Sequence, residues 1–350
     1  MDLTQLLKLT TEKKASDLHI IAGYNPSIRV NDKLIQLKTH EQVTKDTAKT
    51  LLYKILNETQ KEELETNKEI DFSYEMEKFR FRVNYYHSRG AVAAAFRVIV
   101  GQIPSIEQLN LPAAMHQFAK MNEGLVLLTG PTGEGKSTTI ASILNEINLN
   151  LEKHIVTIED PVEYIFQNAK SIISQRELHG DTHSWIKALR SVLREDPDVV
   201  LIGEMRDFDT IQAALTIAET GHLVFSTLHT GSTPEAINRI VDVFPASQQN
   251  QIRNQLASVL KAIISQRLVP NIDGTARIPA LELLINIPAV SALIRESKNF
   301  MIDNILETGE DQGMLLFEKY LSRLYKQNLI TRETAFDYAL RQSEIRKFIV

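Results

Sequence analysis

The stretch Leu127–Ile140, LLTGPTGEGKSTTI, constrains this chain more than any other. An apolar run reading as a buried strand stops at Gly130, and a helical pattern, STTIASILNEI, follows the loop. Between them Gly130-Pro-Thr-Gly-Glu-Gly135-Lys136-Ser137 fits G-x-x-x-x-G-K-[ST]. A loop that wraps phosphate needs backbone N–H groups at close range, which glycine permits at several positions. Lys136 supplies a cation for β- and γ-phosphates, Ser137 a hydroxyl for Mg²⁺, and the helix N-terminus a partial positive charge. The candidate nucleotide-binding residues are therefore Gly130, Pro131, Thr132, Gly133, Glu134, Gly135, Lys136, Ser137 and Thr138. Glu134 stands out, because an acid facing the triphosphate would repel it. At a variable position of the pattern it either points to solvent or weakens binding by about 1 kcal/mol or less where water screens it.

A loop of this kind calls for a parallel sheet flanked by helices. From about residue 113 the chain supplies one: GLVLLTG, HIVTIED, DVVLIGE and HLVFSTLHT alternate with longer helical patterns. From 246 onward the pattern reads as mostly helical, apart from RIPALELLIN. Residues 1–100 read differently. A short helix over 2–14, with Leu3, Leu6, Leu7 and Leu9 on one side, precedes strand candidates DLHIIA and SIRVNDKLIQL around a Gly23–Pro26 turn. A helix over 44–56 starts at a Thr/Asp cap, and NETQKEELETNKE reads as a solvated helix face. EIDFSYEM, FRFRVNYYHSR and AVAAAFRVIV complete an antiparallel sheet. Residues 101–112, GQIPSIEQLNLP, form the linker candidate, and 113–350 the second domain, with C-terminal helices over about 246–350.

Nucleotide hydrolysis also needs carboxylates, one for the metal and one for the attacking water. DPDVVLIGEMRD ends a buried strand with Glu204, a Walker-B-like metal position that acts through water. HIVTIEDPVEY ends another with Glu159, Asp160 and Glu163, of which Glu163 is the favoured base and the other two remain candidates. His222 and His229 stand at opposite ends of one strand and, seven residues apart, point to opposite faces. They do not read as two ligands of one metal; His229 is a candidate γ-phosphate sensor and His222 a residue that orients a neighbour. Arg80, Arg82, Arg89 and Arg97 cluster in the N-terminal domain and, on their own, read as ordinary strand arginines, with arginine fingers as the alternative.

The net charge of −5 gives no reason to expect a nucleic-acid partner. The absence of cysteine removes disulfides and thiolate zinc sites and fits a reducing compartment. No apolar run nears the roughly 18 residues that span a bilayer, so direct membrane insertion is not expected.

Together these boxes resemble the type IV pilus retraction ATPase (PilT) family of secretion-superfamily motors. The resemblance is carried by ASDLHI…PSIRVNDKL, FRVNYYHSRGAVAAAFRVI, GPTGEGKST, IEDPVEY, ALRSVLREDPDVVLIGEMRDFDTI, AETGHLVFSTLHT and RIVDVFPASQQNQIRNQLASVLKAIISQRL. It implies an α/β architecture: a PAS-like α+β N-terminal domain joined by a linker to a RecA-like P-loop ATPase core with a helical C-terminal extension. It implies a homohexameric ring that hydrolyses ATP with Mg²⁺, works at the cytoplasmic face of the inner membrane and pushes on a pilus platform protein (PilC-like). By position it makes Glu163 the base, Glu204 the Walker B acid, His222 and His229 the His box, and Arg82 and Arg97 the γ-phosphate arginines, leaving Arg80 and Arg89 as weaker candidates. Lys136 completes the catalytic set. Three departures accompany the match: Glu134, where the family usually has a small residue; AVSALIRE (Ala289 to Glu296), where Ser291-Ala292 replaces a central Arg-Asn pair of a motif tied in the family to retraction; and ETGEDQGMLLFEKYLSRLY, where family members often carry a different residue set around the Gly-Met. The nearest alternatives are an accessory retraction ATPase and another type II/IV secretion-superfamily motor.

Overall fold

The computed structural model describes residues 1–30, 33–77, 79–99 and 103–349. The chain divides into two compact units, Met1–Gln102 with Pro161–Ile165, and Ile103–Asp160 with Phe166–Val350. Gly101 and Gln102 of the expected linker lie outside the described residues.

The first unit holds six strands, β1 (Asp17–Ile20), β2 (Ser27–Val30), β3 (Lys33–Gln36), β4 (Glu69–Met76), β5 (Phe79–Ser88) and β6 (Ala91–Ile99), in the antiparallel order β3-β2-β1-β6-β5-β4. Alternation sorts each strand into two faces. Leu18, Ile28, Phe81, Val83 and Phe96 are buried in one cluster with Leu3, Leu6 and Leu7 of the helix Leu3–Glu12 and Leu51 and Leu52 of the helix Lys45–Leu52. Leu9, as expected, packs partly buried against the same cluster, and Thr10 is buried beside it, its hydroxyl donating to the Leu6 carbonyl at 2.7 Å. The charged stretch is a helix, Glu58–Asn67, closed by an Asn57/Gln60 capping box and burying only Leu64. On the polar face, Asp17 stands opposite both Arg29 and Arg97, and Arg97 opposite Arg82.

The second unit is built on seven strands: β7 (Gly124–Thr129), β8 (His154–Glu159), β9 (Ile172–Glu177), β10 (Val199–Ile202), β11 (Leu223–Leu228), β12 (Leu260–Pro270) and β13 (Arg277–Ile285). Their order is β13-β12-β7-β11-β10-β8-β9; all neighbours run parallel except the β12–β13 pair. This is a P-loop core with helices packed over a central sheet, and the interior strands are largely buried with a mostly apolar content, as strands covered on both faces are.

One expectation is corrected here. The helical reading after residue 246 holds for Ala246–Val259, but Leu260–Pro270 is the eleven-residue strand β12, paired with β7 on one side and β13 on the other. Its buried run Ala262-Ile263-Ile264 has no polar alternation, and an apolar run of that length does not distinguish a buried strand from a buried helix. The helices Phe317–Lys326 and Gln342–Phe348 pack with Val269 and Ile278 of these two strands in a separate core cluster. Ser291 of the altered motif lies on the helix Pro288–Arg295, where its hydroxyl bonds the Ala257 carbonyl and the Asn286 side chain, both at 3.0 Å.

Candidate active site

The loop after β7 has the backbone its glycines promise. Gly130 has φ +143°, and a Cβ there would stand 2.3 Å from the Gln266 carbonyl oxygen of β12. Glycine is therefore required twice at this position, by conformation and by the neighbouring strand. Gly135, at φ +76°, precedes the helix Lys136–Asn150. Lys136 is its first residue; the side chain is buried, and Nζ donates to the carbonyls of Gly130 at 2.6 Å and Pro131 at 2.8 Å. The ammonium is thus folded into the loop that would wrap phosphate. Ser137 and Thr138 follow in the first turn, whose N–H groups form an anion-binding end. Pro131, Thr132 and Gly133 are exposed.

Strand order brings the remaining groups together. β7, β11 and β10 are consecutive neighbours, so the residues after their C-terminal ends converge. His229, just past β11, is the link: Nδ1 lies 3.4 Å from both Lys136 Nζ and Thr132 Oγ1, and Nε2 lies 3.3 Å from Glu204 Oε1. The ring thus turns its Nδ1 side to the loop residues Lys136 and Thr132 and its Nε2 side to the Glu204 carboxylate. The other carboxylate oxygen of Glu204 accepts from Arg206 Nε at 2.8 Å. Glu204 and the Ser137 hydroxyl are hard oxygen donors of the kind Mg²⁺ takes. Among the described residues no group of three or more His, Asp or Glu is arranged to hold a metal, so a cation here would complete its shell with phosphate and water.

The other predicted residues stand on other elements of the two units. Glu159 ends β8, is buried, and accepts from the Thr157 hydroxyl at 2.7 Å; Asp160 beside it is exposed. Glu163 is exposed in the irregular segment Pro161–Ile165, which groups with the first unit. His222 sits before β11, at the opposite end of that strand from His229, with Nδ1 3.0 Å from Thr220 Oγ1 and 3.1 Å from the Ile217 carbonyl. The fold therefore separates the two histidines by the length of a strand, about 20 Å at 3.3 Å per residue. In the first unit, Arg97 is 69% exposed at its side chain and Nε donates to the buried Asp17 carboxylate at 2.9 Å. Arg82 is exposed beside it, while Arg80 is largely buried and pairs with Glu75 at 2.7 Å. Arg89 occupies, with Gly90, the left-handed turn between β5 and β6 at φ +53°.

Glu134 takes neither of the two orientations expected for it. Its carboxylate accepts a hydrogen bond from the Leu268 backbone N–H, and its carbonyl accepts from Gln266 Nε2 at 2.6 Å. β12 thus flanks the loop, through two residues that the reading of the sequence passed over because the strand read as a helix. The available signal was the polar Ser265-Gln266-Arg267 break in an otherwise apolar run. Arg206, the fourth residue of GEMRD, carries no signal of its own in the sequence beyond its nearness to Glu204.

Known proteins resemble this chain along nearly its whole length. The type IV pilus retractation ATPase PilT of Pseudomonas aeruginosa is 43% identical over 344 residues, 97% of this chain and 98% of its own length. The type IV pilus ATPase PilU of the same organism is 38% identical over 350 residues, 100% of this chain and 91% of its own. A crystal structure of the pilus retraction motor PilT with bound ADP matches with a TM-score of 0.93 at 44% identity, covering 99% of both chains. The resemblance drawn from the motif boxes is borne out: the chain belongs to the type II/IV secretion system protein family, whose model it matches over residues 1–332.

Proposed function

We propose that this chain is a motor ATPase that hydrolyses ATP to drive type IV pilus retraction. The observation that carries the reading is the His229 bridge between Lys136 of the phosphate loop and Glu204 at the end of β10. The similarity to proteins named as pilus retraction ATPases supports the biological role.

In this reading the loop 130–138 wraps the triphosphate, and Lys136 presents its ammonium to the β- and γ-phosphates. The Ser137 hydroxyl, and Glu204 through water, would hold Mg²⁺, which when bound would supply positive charge to the triphosphate. Glu163 accepts the proton of the attacking water. His229 reports on the γ-phosphate, because it faces Lys136 and Glu204 at once and its ring cannot keep both partners if either moves. Arg82 and Arg97 stabilise the charge that develops on the γ-phosphate. His222 acts indirectly, by ordering the start of β11. The working form is a homohexamer at the cytoplasmic face of the inner membrane, coupled to a PilC-like platform protein. Among the described residues no helix is long and apolar enough to cross a membrane.

Phosphate release by the purified protein tests the chemistry. Lys136→Ala abolishes ATP turnover while leaving a folded protein; turnover within a few-fold of the parent would overturn the assignment. A second reading, an accessory retraction ATPase, draws on Ser291-Ala292 in the altered motif and on the similarity to PilU. Complementation of a retraction-null strain separates the two: restored retraction supports the first, whereas active ATPase without retraction supports the second.

A further inference from the structure

The phosphate loop is held from outside as well as from within. β12 pairs with β7 as far as Ser265 opposite Thr129. There β7 ends and the loop begins, but β12 continues for five more residues. Gln266 is the first of them, 1% exposed, and its side-chain amide has a partner at each end. Nε2 donates to the Glu134 carbonyl of the loop at 2.6 Å, and Oε1 accepts from the Thr139 hydroxyl at 2.8 Å, in the first turns of the helix that the loop feeds. Thr139 is itself buried. A hydroxyl donates to Oε1 and a carbonyl accepts only from Nε2, so the two partners allow one orientation of the amide. Two residues on, the Leu268 N–H donates to the Glu134 carboxylate. The main chain of Gln266 also passes so close to Gly130 that no side chain fits between them.

We infer that Gln266 is a positioning residue for the nucleotide site. Through its amide, aided by the Glu134–Leu268 contact, it sets the curvature of residues 130–135, and with it the aim of the loop N–H groups at phosphate. It touches no substrate atom; its effect passes through the Glu134 carbonyl. The inference rests on the proposed reading of the loop as an ATP site.

A phosphate cradle works by preorganised donors, so loosening it weakens binding of every nucleotide that shares the phosphates and alters the chemical step less. Gln266→Glu keeps the size and the acceptor for Thr139 but puts an oxygen against the Glu134 carbonyl. Gln266→Met keeps the length and removes both hydrogen bonds. Thr139→Val frees the amide to rotate. Each is measured in the full-length chain for ADP affinity by calorimetry and for ATP turnover at saturating Mg²⁺.

The expected result for Gln266→Glu is an ADP Kd and an ATP KM raised about tenfold, as loss of one well-made buried hydrogen bond implies, with kcat within about threefold. Gln266→Met and Thr139→Val follow with losses of about three- to tenfold. The Met and Val losses do not add in the double variant, because both remove the same clamp. An ADP Kd within twofold of the parent in Gln266→Glu and Gln266→Met, or a loss confined to kcat, overturns the inference. If the Gln266 variants fail to fold, Thr139→Val alone decides it on the same criteria: an ADP Kd within twofold of the parent overturns the inference. A parent protein that neither binds ADP nor turns over ATP would instead refute the reading of the loop itself.

Discussion

Arg341, near the C-terminus, offers the sharpest test of the packing that supports the site. Its Nη1 reaches Glu282 Oε2 at 2.9 Å and Glu318 Oε2 at 3.0 Å, and both carboxylates are fully buried at 0% exposure. Nη2 pairs with the more open Asp303 at 2.6 Å, and the Arg341 backbone N–H donates to Glu318 Oε1. The opposite oxygen of Glu282 accepts from the N–H and hydroxyl of Thr233, the first residue of the helix Thr233–Asp242 that follows the His229 loop. Replacing Arg341 by methionine keeps most of the volume and leaves two buried acids without their cation. Removing one partner of a buried pair costs about 3–5 kcal/mol. For a domain of this size about 4 kcal/mol corresponds to a fall in Tm of about 8–16 °C.

The pH dependence distinguishes charge from packing. Burial raises the pKa of Glu318, and Arg341 opposes that rise. In Arg341→Met the opposition is gone, so the carboxylate pKa rises further. A carboxyl whose pKa is raised on folding holds its proton more tightly in the native state. It therefore costs stability above its native pKa, and that cost disappears as pH falls below the unfolded value. The Tm deficit of the variant should be full at pH 8 and visibly smaller at pH 5.5, measured by scanning calorimetry against the parent at each pH. Adding Glu318→Gln to the variant should recover part of the deficit at pH 8. A fall of less than about 3 °C, or an equal fall at both pH values, would show that the network does not act through buried charge.

Three further outcomes follow from the site. Glu134→Ser should raise the ATP KM about fivefold rather than lower it, because the carboxylate serves the Leu268 N–H; loss of that bond is worth about 1 kcal/mol. Steady-state kinetics check this, and a lowered KM would mean that charge repulsion governs after all. His229→Ala should cut kcat by at least about tenfold while His222→Ala stays within about threefold, since only His229 faces Lys136 and Glu204; equal effects would refute the distinction. Asn57→Ala, which removes the capping box from the helix Glu58–Asn67, should cost about 1 kcal/mol in a denaturant titration and leave ATP turnover unchanged.

Much of this protein was legible from short-range pattern. Alternating apolar runs and helical stretches located β7, β8, β10 and β11, because parallel strands buried on both faces leave uninterrupted apolar segments. The Thr44 cap marked a helix start for a local reason: its partner lies three residues away. The phosphate-loop pattern of 130–138 was legible, since its glycines, lysine and hydroxyls are contiguous, but the partner of Glu134 was not. β12 was not legible. Its short apolar run Ala262-Ile263-Ile264, continuous with a helical pattern before it, is neutral between the two structures until β7 and β13 offer partners.

The residues that complete the site divide along the same line. The sequence by itself determined that a phosphate loop ends a buried strand, and that Glu204 and His229 end two others. Tertiary structure alone decided that β11 and β10 lie beside β7, so that His229 bridges Lys136 and Glu204 while His222 is carried to the far end of the strand. It also decided the fate of Glu134, which neither reaches for solvent nor confronts phosphate, but is secured by an N–H 134 residues away. Local propensity acts over a few residues, whereas a hydrogen bond across that distance exists only once sheet order has brought its two ends together.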